Sequence, residues 1–178
     1  TPRPRRFPAG PFRASPNAVL GDSAPAAVDR AAGGMLLRFV AYGVLGWCVE
    51  IVFTALTRLR EPDRRWRLEG TTYLWMFPIY GLIAPLYEPV HDLVRSYPLP
   101  LRAMVYGAGF LAVEYAAGWA LARATGRCPW DYSARTRWHL HGYVRFDYTP
   151  LWMLLGLALE PVHDFLVRLT PAIREALG

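Results

Sequence analysis

The sequence contains no lysine, and all twenty of its basic residues are arginine. A phosphate-binding loop of the Gly-x-x-x-x-Gly-Lys type is therefore excluded, so any ATPase activity would have to come from a partner protein. The arginines lie mostly at the ends of apolar segments, where long basic side chains can reach lipid headgroups. The net charge of +6 is thus a poor indication of a nucleic-acid partner, and we expect none.

Cysteines and, near the start, large apolar side chains are also scarce. The two cysteines are Cys48 and Cys128; a disulfide between them is not expected, and they indicate little about the compartment. Residues 1–34 are rich in Pro, Arg, Ala and Gly and cannot bury a core, so we predict a disordered tail there. This tail lacks the apolar core and small-residue cleavage site of a signal peptide.

The rest of the chain is dominated by apolar segments, at residues 35–59, 78–94, 99–124 and 150–169. At about 1.5 Å per residue, the first and third are long enough to cross a bilayer, and the others are near the lower limit. Aromatic residues near the starts of the second and fourth segments suit the membrane interface. We therefore predict a multi-pass protein of the lipid bilayer, in a bacterial cell membrane, with a four-helix domain at 35–170 and a short tail at 171–178.

The domain contains an internal repeat. At an offset of 72, ten of the 27 positions from 66 to 92 are identical, and the recurring residues include Trp, Gly, Pro, Glu and His. The preceding segments repeat at an offset of 64, where Arg38, Tyr42, Gly43, Val49 and Glu50 match Arg102, Tyr106, Gly107, Val113 and Glu114. The eight-residue difference falls in a loop, where insertions are tolerated.

Each copy of the repeat, at about 35–95 and 99–169, contains two crossings, so both copies enter the membrane from the same side. The fold we predict is an all-α integral membrane protein: a four-transmembrane-helix bundle built from two parallel helix-hairpin repeats, with a pseudo-twofold axis along the membrane normal.

Four glutamates lie inside the predicted crossings: Glu50, Glu88, Glu114 and Glu160. A charged side chain at mid-membrane costs roughly 2.5–3.5 kcal/mol, so these residues need partners. Counting from the expected helix ends places all four at one depth, about 15 Å from the face that carries the long loops.

Two of the glutamates begin a Glu-x-x-His pattern, Glu88 with His91 and Glu160 with His163. Residues three apart share a helix face. With Glu50 and Glu114, these residues form the ligand set of carboxylate-bridged dinuclear iron or manganese bundles. Two divalent ions would neutralise the four carboxylates, and Asp92 and Asp164 could orient the imidazoles. With oxygen as co-substrate, such a centre could oxidise a lipid-soluble substrate.

Other interpretations remain open. The glutamates could hold the helices together through hydrogen bonds, with the histidines as satisfied neighbours. They could serve proton or cation handling in a permease or an accessory transporter subunit, or His91 and His163 could ligate haem. In the loop 125–149, Cys128, His139 and His141 could form a zinc site, although an interfacial loop is the simpler interpretation.

Several motifs resemble a known family. They are Gly46-Trp47-Cys48-Val49-Glu50, Pro78-Ile79-Tyr80-Gly81, Glu114-Tyr115 and the loop Trp130-Asp131-Tyr132-Ser133 followed by Gly142. The chain resembles the putative ABC-transporter type IV membrane proteins, which include the vertebrate transmembrane protein 229 group, over about residues 38–166. The resemblance implies a transporter permease. Because the chain has no nucleotide-binding motif, it also implies an ATPase or another membrane partner.

Overall fold

The computed structural model describes residues 24–59 and 67–177. The first helix, α1, spans Ala24–Arg58 and so begins inside the segment 1–34 that we expected to be disordered. The sequence Ala-Pro-Ala-Ala-Val at its start explains this, because alanine has the highest helix propensity and proline is tolerated in a first turn. Residues 1–23 lie outside the described part of the chain.

The second helical segment is divided into three parts: α2 at Met76–Gly81, a π-helical segment at Ile83–Tyr87 and α3 at Glu88–Val94. Proline explains the irregularity. Pro85 and Pro89 have no N–H to donate to the preceding turn, so the regular hydrogen-bond pattern cannot continue through them. Glu88 and His91 follow this π-helical segment directly.

The third segment is a regular helix, α4, at Leu99–Thr125, which ends at Gly126 in the left-handed conformation with φ of 84°. The last helix, α5, spans Thr149–Leu177, with Pro161 and Pro171 inside it. It therefore continues through residues 171–177, where we expected a tail. Between α4 and α5 lie β1 at His139–Leu140 and β2 at Val144–Arg145, an antiparallel pair in which Leu140 faces Val144.

The helices pack as two antiparallel hairpins. In the first hairpin, α1 packs against α2 and the π-helical segment, and in the second, α4 packs against α5. Glycines bring the helices close: Gly43 meets Phe77, and Gly107 meets Met153. The hairpins join through α1 and α5, around a buried core that includes Tyr42, Ala84, Tyr87, Tyr106 and Leu166. The prediction of an all-α protein is confirmed.

Within the described residues, two helical stretches, Ala31–Arg58 and Phe146–Leu177, are long and apolar enough to cross a membrane. Only about a fifth of the residues in their most apolar stretches are buried inside the protein, whereas the core helix of a soluble domain would be mostly buried. Apolar side chains such as Leu36, Val52 and Leu154 are instead directed outwards. Faces of this kind are expected where lipid replaces water as the solvent.

Both connecting loops fold back onto their hairpins. In the first, Gly70 packs against the backbone of Ile51, and the indole of Trp47 donates a 3.0 Å hydrogen bond to the carbonyl oxygen of Tyr73. In the second, Tyr143 packs on Gly118. The helices that follow these loops therefore begin beside the middle of α1 and α4 and not beside their C-terminal ends.

Candidate functional site

The structure brings together four of the six predicted metal ligands: Glu88, His91, Glu160 and His163. The two imidazole rings meet edge to face, with centroids 4.8 Å apart. Each histidine lies beside the glutamate of the other hairpin: His163 Nδ1 is 3.5 Å from Glu88 Oε1, and His91 Nδ1 is 3.9 Å from Glu160 Oε1. The Glu-x-x-His helices α3 and α5 thus meet at one polar centre. The rings would have to move apart to admit a haem between them.

Two arginines complete this centre. Arg38 binds Glu88 through two hydrogen bonds, from Nε at 2.7 Å and from Nη2 at 2.8 Å. Arg102 Nη1 lies 3.4 Å from Glu160 Oε2. These arginines were not among the predicted site residues, although they match each other at the 64-residue offset. The match, together with the need of buried carboxylates for cations, was the signal that could have identified them.

A tyrosine from each hairpin contacts the histidine of the other. Tyr42 Oη lies 3.5 Å from His163 Nδ1. Tyr106 donates a 2.9 Å hydrogen bond to Glu160 Oε1, and its oxygen is also 2.9 Å from His91 Nδ1. A hydroxyl has a single proton, so in this arrangement His91 Nδ1 must donate to Tyr106. The lone pair of His91 then lies on Nε2, which is buried and without a hydrogen-bond partner in the described part of the chain.

The predicted orienting residues Asp92 and Asp164 have different environments. Asp92 Oδ1 is 3.6 Å from His163 Nε2, so it faces the histidine of the other hairpin, and its side chain is 69% exposed. Ligand atoms of His91, Asp92 and His163 all lie within 4.8 Å of one another. Asp164 is instead held by Arg95 through hydrogen bonds of 2.9 and 2.7 Å. Only Asp92 is therefore available to a cation beside the two imidazoles.

Glu50 and Glu114 are not part of this centre. Glu50 accepts a 2.7 Å hydrogen bond from the hydroxyl of Thr72, and Glu114 accepts one of 2.9 Å from Tyr132. Glu50 follows Arg38, the partner of Glu88, by twelve residues, which is about 18 Å along a helix. The expectation of one common depth is thus wrong, because the folded-back loops lower the starts of α2 and α5 relative to α1 and α4.

The family described as putative ABC-transporter type IV matches residues 37–177, which is most of the chain. The chain belongs to this family. The sequence-based assignment is confirmed, and together with the two apolar helices it identifies a membrane-associated protein of ABC-transporter type. No curated protein and no solved structure shows significant similarity to the chain.

In this ABC-transporter type IV protein, the motif Trp130-Asp131-Tyr132-Ser133 shapes the second loop. The indole of Trp130 donates to the carbonyl oxygen of Tyr143 at 3.0 Å, and Tyr132 reaches Glu114. Asp131 accepts hydrogen bonds from the hydroxyl and the backbone N–H of Ser133, which lower the pKa of its carboxyl.

The loop zinc site considered from the sequence receives no support within the described residues. His139 Nδ1 accepts the N–H of Gly142, and His141 Nδ1 contacts the hydroxyl of Tyr115. Cys128 packs against Gly118, and its sulfur does not cluster with the two imidazoles at metal-binding distances among the described residues. The motif loop thus closes over α4 and supplies the partner of Glu114.

Proposed function

We propose that the chain is a multi-pass membrane protein that crosses the bilayer four times. Helix α4 has 27 residues, about 40 Å at the rise of an α-helix, and the segment 76–94 spans about 28 Å. The exposed apolar faces of α1 and α5 and the repeat in the sequence support four crossings arranged as two hairpins. The polar centre then lies inside the membrane domain, towards the end that carries the short connection between α3 and α4.

We further propose that this centre binds a divalent first-row metal ion through His91 Nε2, His163 Nε2 and Asp92. The observation that carries this proposal is the Nε2 of His91, which is buried and has no partner among residues 24–59 and 67–177, while Tyr106 holds the ring at Nδ1. A hydrogen bond at one ring nitrogen, with the other nitrogen available, is the usual state of a metal-ligating histidine. Two imidazoles and one carboxylate with open positions suit mononuclear iron, and manganese and zinc accept the same ligands.

The geometry favours one ion over the dinuclear iron or manganese centre expected from the sequence. A dinuclear centre needs Glu88 and Glu160 as ligands, but Arg38 and Arg102 already neutralise them. It also needs Glu50 and Glu114, which lie with the long loops. A single ion leaves both arginine–glutamate pairs intact, so it requires less rearrangement.

A permease-like subunit that handles protons and works with a partner ATPase is the second candidate. Tyr106 joins His91 to Glu160 with two 2.9 Å contacts, a continuous path between two groups that can carry a proton. The family match supports a transporter assembly, and the chain supplies no nucleotide-binding loop of its own.

Metal analysis of the detergent-purified protein tests the first candidate. We expect about one equivalent of iron, manganese or zinc per chain. The ion should be lost in His91→Ala and Asp92→Asn but retained in Asp164→Asn, the matched control in which Arg95 engages the carboxylate that is replaced.

Other outcomes separate the remaining interpretations. Two equivalents that are lost in Glu50→Gln would support the dinuclear centre instead. A folded protein that takes up no metal when iron, manganese or zinc is supplied would contradict metal binding and leave the proton-handling subunit as the better interpretation.

A further inference from the structure

An apolar groove runs between the α2–π-helical segment and α4 and α5. Its walls are formed largely by aliphatic and aromatic side chains, among them Ile83, Leu86, Val105, Phe110 and Leu155. A methyl group built on Gly109 would meet no atom within 4 Å, so this glycine leaves space in the wall. The groove is separate from the His91–Asp92–His163 cluster, although Tyr106 contributes to both.

One end of this groove is polar. Glu114 lines it, and the Oε2 atom of Glu114 is buried with no hydrogen-bond partner among the described residues. Trp152 also lines the groove, and its buried indole N–H, which interacts with Glu114, has no partner at full hydrogen-bond distance among the described residues. Unlike Glu88 and Glu160, Glu114 has no arginine within ion-pair distance in the part of the chain that the structure describes. Unsatisfied buried polar atoms in a pocket wall are the groups that fix the orientation of a ligand.

A cation at this end of the groove would hold Glu114 as a carboxylate, because a nearby opposite charge favours the ionised form. Two donors beside Glu114 suit that form: the hydroxyl of Tyr132 donates to Oε1, and the indole of Trp152 can only donate. A carboxylate therefore keeps both of these interactions and can pair with a cation at Oε2.

We infer that this groove binds an amphiphilic amine, with its ammonium group on Glu114 and its alkyl chain along α4 towards Tyr106. Charge complementarity selects the head group, because the free carboxylate oxygen lies at the end of an otherwise apolar groove. Eight residues separate Glu114 from Tyr106, about 12 Å along the helix, which suits a medium-length chain. An approach from the lipid would let such a molecule enter without crossing water.

Saturation binding of radiolabelled decylamine to the full chain in lipid nanodiscs tests this inference. We expect saturable binding that unlabelled decylamine displaces and that decanol and decanoate, with the same chain length, do not. The substitution Glu114→Gln should weaken binding at least about tenfold, the effect of losing one charge-assisted contact. Glu50→Gln is the matched control, because Glu50 occupies the same position in the first hairpin but does not line the groove; we expect its affinity to stay within about twofold of wild type.

A second variant covers the case in which Glu114→Gln fails to fold. Gly109→Leu places a side chain in the open part of the groove without altering Glu114, so it should reduce the number of decylamine sites while circular dichroism stays unchanged. Equal competition by decanol would overturn the cationic head group, and equal loss in the Glu50 and Glu114 variants would overturn the site. Absence of saturable binding in the wild type would overturn the inference as a whole. Metal content measured on the same samples reports separately on the histidine centre.

Discussion

The two hairpins place an arginine and a glutamate at matching positions of the sequence repeat, yet they hold the pair differently. In the first hairpin, Arg38 and Glu88 form a two-point contact, and the Glu88 side chain is only 8% exposed. In the second, Arg102 makes one longer contact with Glu160, which also accepts a hydrogen bond from the hydroxyl of Tyr106. The same sequence pattern therefore gives a tight ion pair in one half and a looser, shared network in the other.

The histidines differ in a related way. His91 of the first hairpin has a short contact with Tyr106, whereas His163 of the second has a longer one with Tyr42. Each histidine depends on a tyrosine of the opposite hairpin, so neither hairpin contains a complete polar centre. The ion pair of the first hairpin compensates the buried charge of Glu88. The tyrosine of the second hairpin, Tyr106, instead orients the ring of His91.

The largest effect that separates the two halves should come from removing the arginines. Arg38→Met leaves Glu88 buried without a cation, and we expect the free energy of unfolding to fall by about 3 kcal/mol. Arg102→Met should lower it by only about 1 kcal/mol, because Glu160 keeps its bond from Tyr106 and is more exposed. Unfolding titrations in mixed detergent and SDS measure both values.

The double variant Arg38→Met/Glu88→Met serves as the control. It removes the buried charge as well as its partner, so most of the lost stability should return. If Arg38→Met and Arg102→Met lower the free energy of unfolding by the same amount, the two-point contact of Arg38 stabilises the protein no more than the single contact of Arg102.

A smaller effect is expected from Gly156→Ala. Gly156 matches Ala84 of the first hairpin at the 72-residue offset, so this substitution makes the two hairpins alike at that position. A methyl group at Gly156 would overlap the Cβ of Tyr106, an atom close to the backbone that cannot easily move. We expect Gly156→Ala to lower the free energy of unfolding by about 2 kcal/mol through overpacking. Gly109→Ala meets no atom and should instead gain up to about 1 kcal/mol. Equal behaviour of the two variants would show that α4 and α5 can separate at low cost.

The sequence was sufficient to predict the helical fold and the meeting of the two Glu-x-x-His motifs. The helices follow from local apolar segments, and three-residue spacing places Glu88 with His91, and Glu160 with His163, on one helix face. The meeting of the two motifs was expected from the repeat, which puts them at equivalent positions of the two hairpins. The family match over residues 37–177 agrees with the motifs from which the resemblance was recognised.

The levels of Glu50 and Glu114 could not be predicted in the same way. Counting residues from a helix end predicts the depth of a side chain in the membrane only if the loop leaves the helix where its apolar segment ends. Here the first loop returns along α1 as far as Trp47, and the second packs on Gly118. Such folding back depends on loop contacts between residues distant in sequence, and apolar segment length does not report them.

A further distinction between the halves can be tested at the tyrosines. Tyr106→Phe removes a hydroxyl that serves both Glu160 and His91, and we expect a loss of about 1 kcal/mol in the free energy of unfolding. Tyr42→Phe removes a 3.5 Å contact with His163 and an interaction with Glu88, which Arg38 already holds, and should cost only about 0.5 kcal/mol. If the centre holds a metal, Tyr106→Phe should also weaken its affinity by about tenfold or more, because His91 loses its orienting partner. A larger effect from Tyr42→Phe in both measurements would reverse the roles assigned to the two tyrosines.

The smallest effect is expected in the second long loop, where Asp131 accepts two hydrogen bonds from Ser133. These bonds lower the pKa of Asp131 in the folded protein, so their contribution to stability is complete above the unfolded pKa of about 3.9 and is lost as the pH falls through the folded value. Because Asp131 is exposed, we expect no change in melting temperature between about pH 7 and 5 from this residue and a slight decrease below about pH 4. The variant Asp131→Asn keeps an acceptor for Ser133 but cannot titrate, so its melting temperature should lack that part of the decrease. An identical pH profile in wild type and variant would show that the Asp131 carboxylate is not what holds this loop on α4, and would place that role on the Tyr132–Glu114 and Trp130–Tyr143 bonds.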